Sequence, residues 1–554
     1  MTQPLRELVV KRLGALPVIV DYLERLGVKE RVDALAPVRE VAHLTNGEVV
    51  VALVANRLTA PRPLYDIEAW AAEWAVEETL GIRPAALNDD RLGRCLDDVA
   101  AVHDRLRGEL TVQAVAAFGL ETKALRWDLT SVLVTGAYPE DEQDAAYARV
   151  RYGYGGGGGG GGGRHKQIRW LQVTTDDGAV PVWEQPYDGN TTDVATVVDT
   201  MVALREHARC TDFVLLGDSK LLSVANRAAL LAAHVGYTAP LAHTPDLDAA
   251  FLAIPPEDLV PLAYVSARER VLPPDGRTTY HGYDSVSAVP GPDGAGGTRR
   301  HTIRRLFVVS SEERAARRRN RARQQQRAEA EIAGIMGRVG SRWYPTAERA
   351  AAKIEAILEQ RHLRDLYEVT CGDQDGPDGR PTVTCEVRPA ALARIEALDG
   401  YYVLETTRTA TEADVVAVLT EWKGQWQVEH RHRAAKGSLR IRPLFVTSNQ
   451  RITGLVTLLG IALLVFSLIE RAARQALAAE GQGEKVPNLL AGHVAARPTG
   501  DNVLKALREI TLVTVALAGV RQRWVADLSA LQRTLLRLLS VPEATYARLT
   551  SDTH

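Results

Sequence analysis

Three acidic side chains stand where acids are uncommon. Asp128 falls in the middle of TKALRWDLTSVLVTG, whose aliphatic and β-branched residues read as a strand. Asp218 closes DFVLLGDSK, a buried-strand pattern, and the carboxyl ends of strands in open α/β sheets are where ligands bind. Glu429 belongs to WKGQWQVEHRHRAAK, residues Trp422 to Lys436. On a helix, Trp422, Trp426, Glu429, Arg433 and Lys436 follow at steps of four, three, four and three and share one face. One acid among two bases and two indoles makes a poor core stripe and a good wall for a charged polymer. Taken singly, Asp128 reads as a solvent-face strand residue and Glu429 as a surface acid paired with Arg433. Brought together, the carboxylates would repel one another, and a shared hard cation on oxygen ligands would relieve that repulsion.

The elements that must position these acids follow in a definite order. After the Asp128 strand, IRWLQVTT and AVPVWEQP flank a DDG turn and predict a hairpin, with Pro181 marking its second strand as an edge. GNTTD, Gly189 to Asp193, supplies capping chemistry for a helix through about His207, with Val194, Val197, Val198, Met201 and Leu204 on its apolar face. The Asp218 strand comes next. Strand, strand, strand, helix, strand is the topology of the RNase H-like fold, in which the first and fourth strands lie side by side. Asp128 and Asp218 would then be neighbours and would suit two Mg²⁺ or Mn²⁺ ions about 3.5 to 4 Å apart for an in-line phosphoryl displacement.

The 554 residues, 46% of them hydrophobic, have room for several cored domains. The expected architecture is multidomain α/β: an all-α N-terminal domain over 1–118, an RNase H-like catalytic core over 119–244 and 406–480, a β-rich insertion over 245–405 interrupting that core, and a C-terminal helical region over 481–554. Asn88-Asp89-Asp90 reads as a helix N-cap with acids favouring the helix dipole rather than as a metal site. Gly454 to Ile469 is strongly apolar but short for a membrane span and clamped by Arg451 and Glu470, so it reads as a buried helix. No membrane association is expected. Cys95, Cys210, Cys371 and Cys385 show no CxxC spacing, and the N-terminus lacks a secretory pattern, which together predict a cytoplasmic protein. The nine glycines Gly155 to Gly163 read as a tether, since no Lys-Ser/Thr follows to make a phosphate loop. Within the insertion, Arg314 to Arg327 carries seven arginines and no acid, including Arg317, Arg318, Arg319 and Arg321, a pattern suited to a phosphate backbone or to a solvated face. Trp343 and Tyr344 suit either base stacking or a structural anchor.

The three acids in this order resemble the DDE transposases of bacterial insertion sequences, in particular those with a β-rich insertion before the Glu and a Tyr-Arg-Glu-Lys signature on the last catalytic helix. The signature positions here read Trp422, Gln425, Glu429 and Lys436, so Glu and Lys match while Tyr and Arg do not. Asp128-Leu129-Thr130-Ser131, Gly189-Asn190, Gly217-Asp218-Ser219 and LRIRPLF before a long apolar helix extend the resemblance over about residues 10 to 475. It implies a magnesium-dependent DNA recombination enzyme: Asp128, Asp218 and Glu429 as catalytic metal ligands, and Lys436, Arg433, Lys220, His430 and Arg431 near backbone phosphates. It also implies an N-terminal domain that binds terminal inverted repeats, a homodimer on double-stranded DNA, target DNA as second substrate, and association with the nucleoid when active. A nuclease without strand joining and a decayed DNA-binding relic are the alternatives.

Overall fold

The computed structural model describes residues 7–153, 164–292, 297–372, 381–441, 444, 446–481, 483–517 and 520–550, so the glycine run lies outside the described residues. The chain forms two units, one of Met1–Tyr237, Pro292–Gly297 and Glu421–His554, the other of Thr238–Gly291 and Thr298–Thr420. It is a multidomain α/β protein with mixed sheets and many helices.

The first unit holds the sheet that carries Asp128. Its strands around Asp128 are β1 (Ala124–Leu133), β2 (His165–Thr175), β3 (Pro181–Tyr187) and β4 (Val214–Leu216), in the order β3-β2-β1-β4. β2 runs antiparallel to β1 and β3, and β4 lies parallel to β1. The short strand Arg151–Gly153 adds to the start of β2. Among the described residues β3 pairs with β2 alone, so Pro181 does sit in an edge strand, where its missing N–H costs no ladder bond. Trp127, Trp170 and Trp183 are all buried about this sheet. The helix after β3 runs Val197–Glu206; Val197, Met201 and Leu204 are buried, whereas Val194 and Val198 are exposed, so the apolar face is narrower than the pattern suggests.

The long helix Asn449–Ala479 is capped by Ser448 and is buried continuously from Ile452 to Arg471. It is long and apolar enough to cross a membrane, yet its apolar window is wholly covered by protein. Two glycines permit that close cover. A Cβ at Gly454 would stand 2.1 Å from the carbonyl oxygen of Leu96, and one at Gly460 would collide with the Glu184 carboxylate. Asn88 caps the helix Asp89–Ala101, accepting from the Arg91 N–H at 3.0 Å, as the capping reading requires.

Both termini differ from expectation. Glu7–Arg12 is a strand rather than helix, and it pairs with Thr511–Leu517, which in turn pairs with Val520–Val525. The 1–118 region is therefore helical only beyond its first strand, and the 481–554 region contains a hairpin between its helices. The partner of ELVVKR lies some five hundred residues away, and a lone short strand leaves no local periodicity long enough to reveal it.

In the second unit, Thr238–Pro240 pairs with Tyr401–Thr406, which pairs with Thr298–Ser310; Tyr280–Pro292 and Val260–Leu262 complete the sheet. The segment's entry and exit strands are thus neighbours, with Thr238 and Thr406 hydroxyls 2.8 Å apart. The β-rich expectation for 245–405 needs correction. Helices Ser311–Met336 and Ala347–Gln360 pack with the hairpin Tyr367–Gly372/Thr382–Val387 around a core of Ile332, Ile335, Ile354 and Leu358. Ala, Arg, Gln and Glu dominate both helices and favour that state, and Ser310 and Thr346 cap them.

Candidate functional site

Parallel pairing of β1 with β4 ends at Arg126↔Leu216, and Asp128 and Asp218 each lie two residues further along their chains. The two acids therefore stand level at the carboxyl ends of adjacent parallel strands. Asp218 turns the chain out of β4: its carboxylate accepts from the Lys220 N–H at 2.9 Å and starts the turn Ser219–Leu221. Burial raises its pKa above the ordinary carboxylate range, and the Asp128 and Asp193 carboxylates push it the same way against the pull of Lys220. Asp128 is half-buried; one carboxylate oxygen accepts from the Leu129 N–H at 2.9 Å, and the other lies 3.3 Å from His432 Nδ1.

Asp193 is a third acid at this edge. It is buried and held by Arg169 and by Lys220 Nζ at 2.5 Å, while Arg169 also donates to Ser131 at 3.0 Å. Lys220 is thus shared between Asp193 and the field of Asp218. GNTTD makes no side-chain cap: the helix begins at Val197 with Thr196 before it, and Asp193 stands instead beside the two strand acids, a place that its separation from β1 conceals in the sequence.

The helix Trp426–Lys436 lies against β1 by one stripe. Gln425 Nε2 donates to the Trp127 carbonyl at 3.0 Å, His432 meets Asp128, and Lys436 donates to the Thr130 hydroxyl. Glu429 lies four residues after Gln425 and three before His432, on the same face. It is exposed and makes no hydrogen bond or ion pair among the described residues, so the pairing with Arg433 is not seen. Among the described residues no group of three or more His, Cys, Asp or Glu is gathered to hold a metal ion. The structure brings Asp128 and Asp218 together and places His432, not Glu429, in contact with Asp128. The only sequence signal for His432 was its position one turn beyond Glu429.

The basic candidates divide. Arg433 is exposed and Lys436 is turned onto β1. Arg431 is buried, donating to Glu470 at 2.9 Å and to the Gly178 and Ala179 carbonyls, so it is an interior ion-pair partner rather than a phosphate contact. His430 stacks edge-on against Trp426, and burial holds its pKa below the usual value. In the second unit, Arg321 makes a two-pronged pair with Asp399 at 2.9 and 2.6 Å, which Arg318 joins at 3.5 Å. Arg321 is thereby withdrawn from solvent, Arg317 faces His243 at 3.4 Å, and Arg317, Arg318 and Arg319 remain exposed. Trp343 is exposed with Arg342 over its ring, while Tyr344 packs against the helical core and serves as an anchor.

Residues 8–106 match a family described as a domain of unknown function, DUF4277. No curated protein matches the chain. A solved structure of a piggyBac transposase synaptic complex with hairpin DNA is similar over 99% of this chain and 88% of that chain, with 9% sequence identity and a TM-score of 0.39. At that identity and score the correspondence does not extend to particular residues.

Proposed function

We propose that the protein is a divalent-metal-dependent DNA strand transferase, a transposase acting on the terminal inverted repeats of its own element, built on an RNase H-like core. The observation that carries this reading is the level pair Asp128 and Asp218 at the ends of parallel β1 and β4, faced by a helix bearing Glu429, His432 and Lys436. The order β3-β2-β1-β4, with two antiparallel pairs and one parallel pair, fits that core.

The donor set suits a hard cation. Asp128 and Asp218 offer carboxylate oxygens at adjacent strand ends, burial and then the neighbouring Asp128 charge raise the pKa of Asp218, and Glu429 supplies a third carboxylate on the facing stripe. Mg²⁺ or Mn²⁺, two ions when bound, would activate a water or 3′-hydroxyl and neutralise charge at the leaving oxygen. The chain's own groups do the rest. His432 orients the Asp128 carboxylate, Lys220 and Arg169 fix Asp193 beside it, and Arg433 offers an exposed cation to backbone phosphate. The N-terminal helices, which contain the DUF4277 match, recognise the DNA ends, with two chains holding two ends.

The test uses duplexes from the DNA flanking the coding region, a supercoiled circular target, and Mg²⁺ or Mn²⁺. Cleaved ends joined to the circle are expected. Cleavage without joining assigns the nuclease alternative; no metal-dependent product, or product undiminished by Asp128→Asn and Asp218→Asn, sinks the reading.

A further inference from the structure

A cavity of about 480 Å³ in the first unit has a charge pattern that the acids of β1 and β4 do not explain. Its charged lining comes from three distant parts of the chain, the end of the helix Asn46–Thr59, the turn after Lys436, and the helix Gly500–Leu507 with Arg508 after it, and Ala15, Trp74 and Phe466 add apolar wall. Four cations, Arg57, Arg440, Lys505 and Arg508, face a single carboxylate, Asp501. That carboxylate is already engaged, by Lys505 at 2.6 Å and by the Ser438 hydroxyl at 3.2 Å.

Arg57 is the unusual member. It makes no hydrogen bond or ion pair among the described residues, and burial pulls its pKa down to about 10. A half-buried guanidinium without an acid of its own is costly, and the one carboxylate of the lining, Asp501, is taken by Lys505 and Ser438. Its place in the last turn of its helix favours a cation but provides no counter-ion. A second observation concerns the rim. Arg440 occupies a left-handed backbone conformation, φ +50°, where glycine would be unstrained, so the chain keeps a long cation at a position that disfavours one.

We propose that this cavity binds a phosphate group of a nucleic-acid backbone, with half-buried Arg57 as the inner cation and Arg440, Lys505 and Arg508 at its mouth. The turn Gly437–Arg440 follows directly from Lys436, so a strand held here is tied to the end of the helix that meets β1. The assignment is independent of any metal chemistry at Asp128 and Asp218, and its test is run in EDTA so that failure of one leaves the other standing.

Full-length protein is titrated with a short labelled duplex lacking 5′-phosphates, by anisotropy across a salt series, and its melting is followed with and without inorganic phosphate. Wild type is compared with Arg57→Gln, Arg440→Gln and Arg508→Gln, the last two being exposed positions that spare the fold. Duplex affinity is expected to fall about tenfold in Arg57→Gln, with the slope of log affinity against log salt reduced by about one. Phosphate should raise the melting temperature of wild type and not of Arg57→Gln. Phosphate stabilisation that needs Arg57, without any change in duplex binding, upholds a phosphate site and rejects the backbone as its source in favour of a free phosphate or mononucleotide. Equal duplex affinity, salt slope and phosphate response in all four proteins overturns the proposal. So does a lower melting temperature of Arg57→Gln in phosphate-free buffer with unchanged binding by the rim variants, which would make Arg57 a structural residue.

Discussion

Asp128 and Glu184 lie on one rung of the same sheet, two strands apart, with Gln172 between them: Asp128 pairs with Gln172 and Gln172 with Glu184. Their surroundings could hardly differ more. Glu184 is fully buried under the helices His103–Phe118 and Asn449–Ala479, 3.1 Å from the equally buried Arg107, and burial pushes it up to about 7 against the pull of that arginine. Asp128 keeps about a quarter of its side chain exposed and faces a second carboxylate and a histidine instead of an arginine. A paired acid sealed in the core is a structural commitment, because removing either partner strands the other charge. A pair of like charges at an open strand end is a destabilising arrangement that a ligand can relieve.

That contrast fails first if its sealed half is not structural. Arg107→Ala leaves Glu184 without its counter-ion and should cost about 3 to 5 kcal/mol in urea unfolding; a loss within error would show the pair to be dispensable. At the open half, Asp128→Asn or Asp218→Asn should lower metal-dependent strand cleavage on the order of a thousandfold, as removal of a group worth several kcal/mol of transition-state stabilisation does. The same substitutions should leave the melting temperature unchanged or slightly higher, since they remove like-charge repulsion. A drop in stability would place these acids with Glu184 instead.

His432 sharpens the comparison further. His432→Leu removes the contact to Asp128 and should cost about tenfold in cleavage and in Mn²⁺ affinity followed by electron paramagnetic resonance, whereas His432→Asn, which keeps a donor, should recover most of it. If both variants lose equally, the imidazole itself is needed at that place. An effect confined to acid belongs to His103, a buried neighbour of the Glu184 pair whose Nδ1 lies 2.6 Å from the Thr457 hydroxyl. Burial lowers its pKa to about 4, Asp104 opposing and Arg107 assisting. The folded state thus binds its proton more weakly than the unfolded state, so His103 contributes stability above pH 6.5 that is lost as pH falls toward 4. Melting curves of wild type and His103→Asn should diverge in that window and run parallel above it.

Much of the candidate site was legible because its signals are local. A carboxylate inside a strand pattern, another closing a strand, and the order of strands and helix between them require no knowledge of distant contacts, and the predicted neighbourhood of β1 and β4 is the one observed. Legibility ended where a side chain's partner is remote. Arg431 and Glu429 are two residues apart in the same basic-looking helix, yet one is sealed against Glu470 and the other is exposed. Arg321 looked like its arginine neighbours until Asp399 claimed it. The terminal strands, with partners at the opposite end of the chain, left no pattern to read.

The sequence by itself determined the strand order around Asp128, the Asn88 cap, the buried apolar helix and the two strand acids, because periodicity and capping act over a few residues and the connections between sequential strands are constrained. Only the tertiary structure decided which charges are neutralised. It set His432 rather than Glu429 against Asp128, sealed Glu184 with Arg107, and left Arg57 in a cavity whose one carboxylate, Asp501, is held by Lys505 and Ser438. The reason is that charge compensation depends on distance through space, and a folded chain makes neighbours of residues whose separation in sequence carries no record of it.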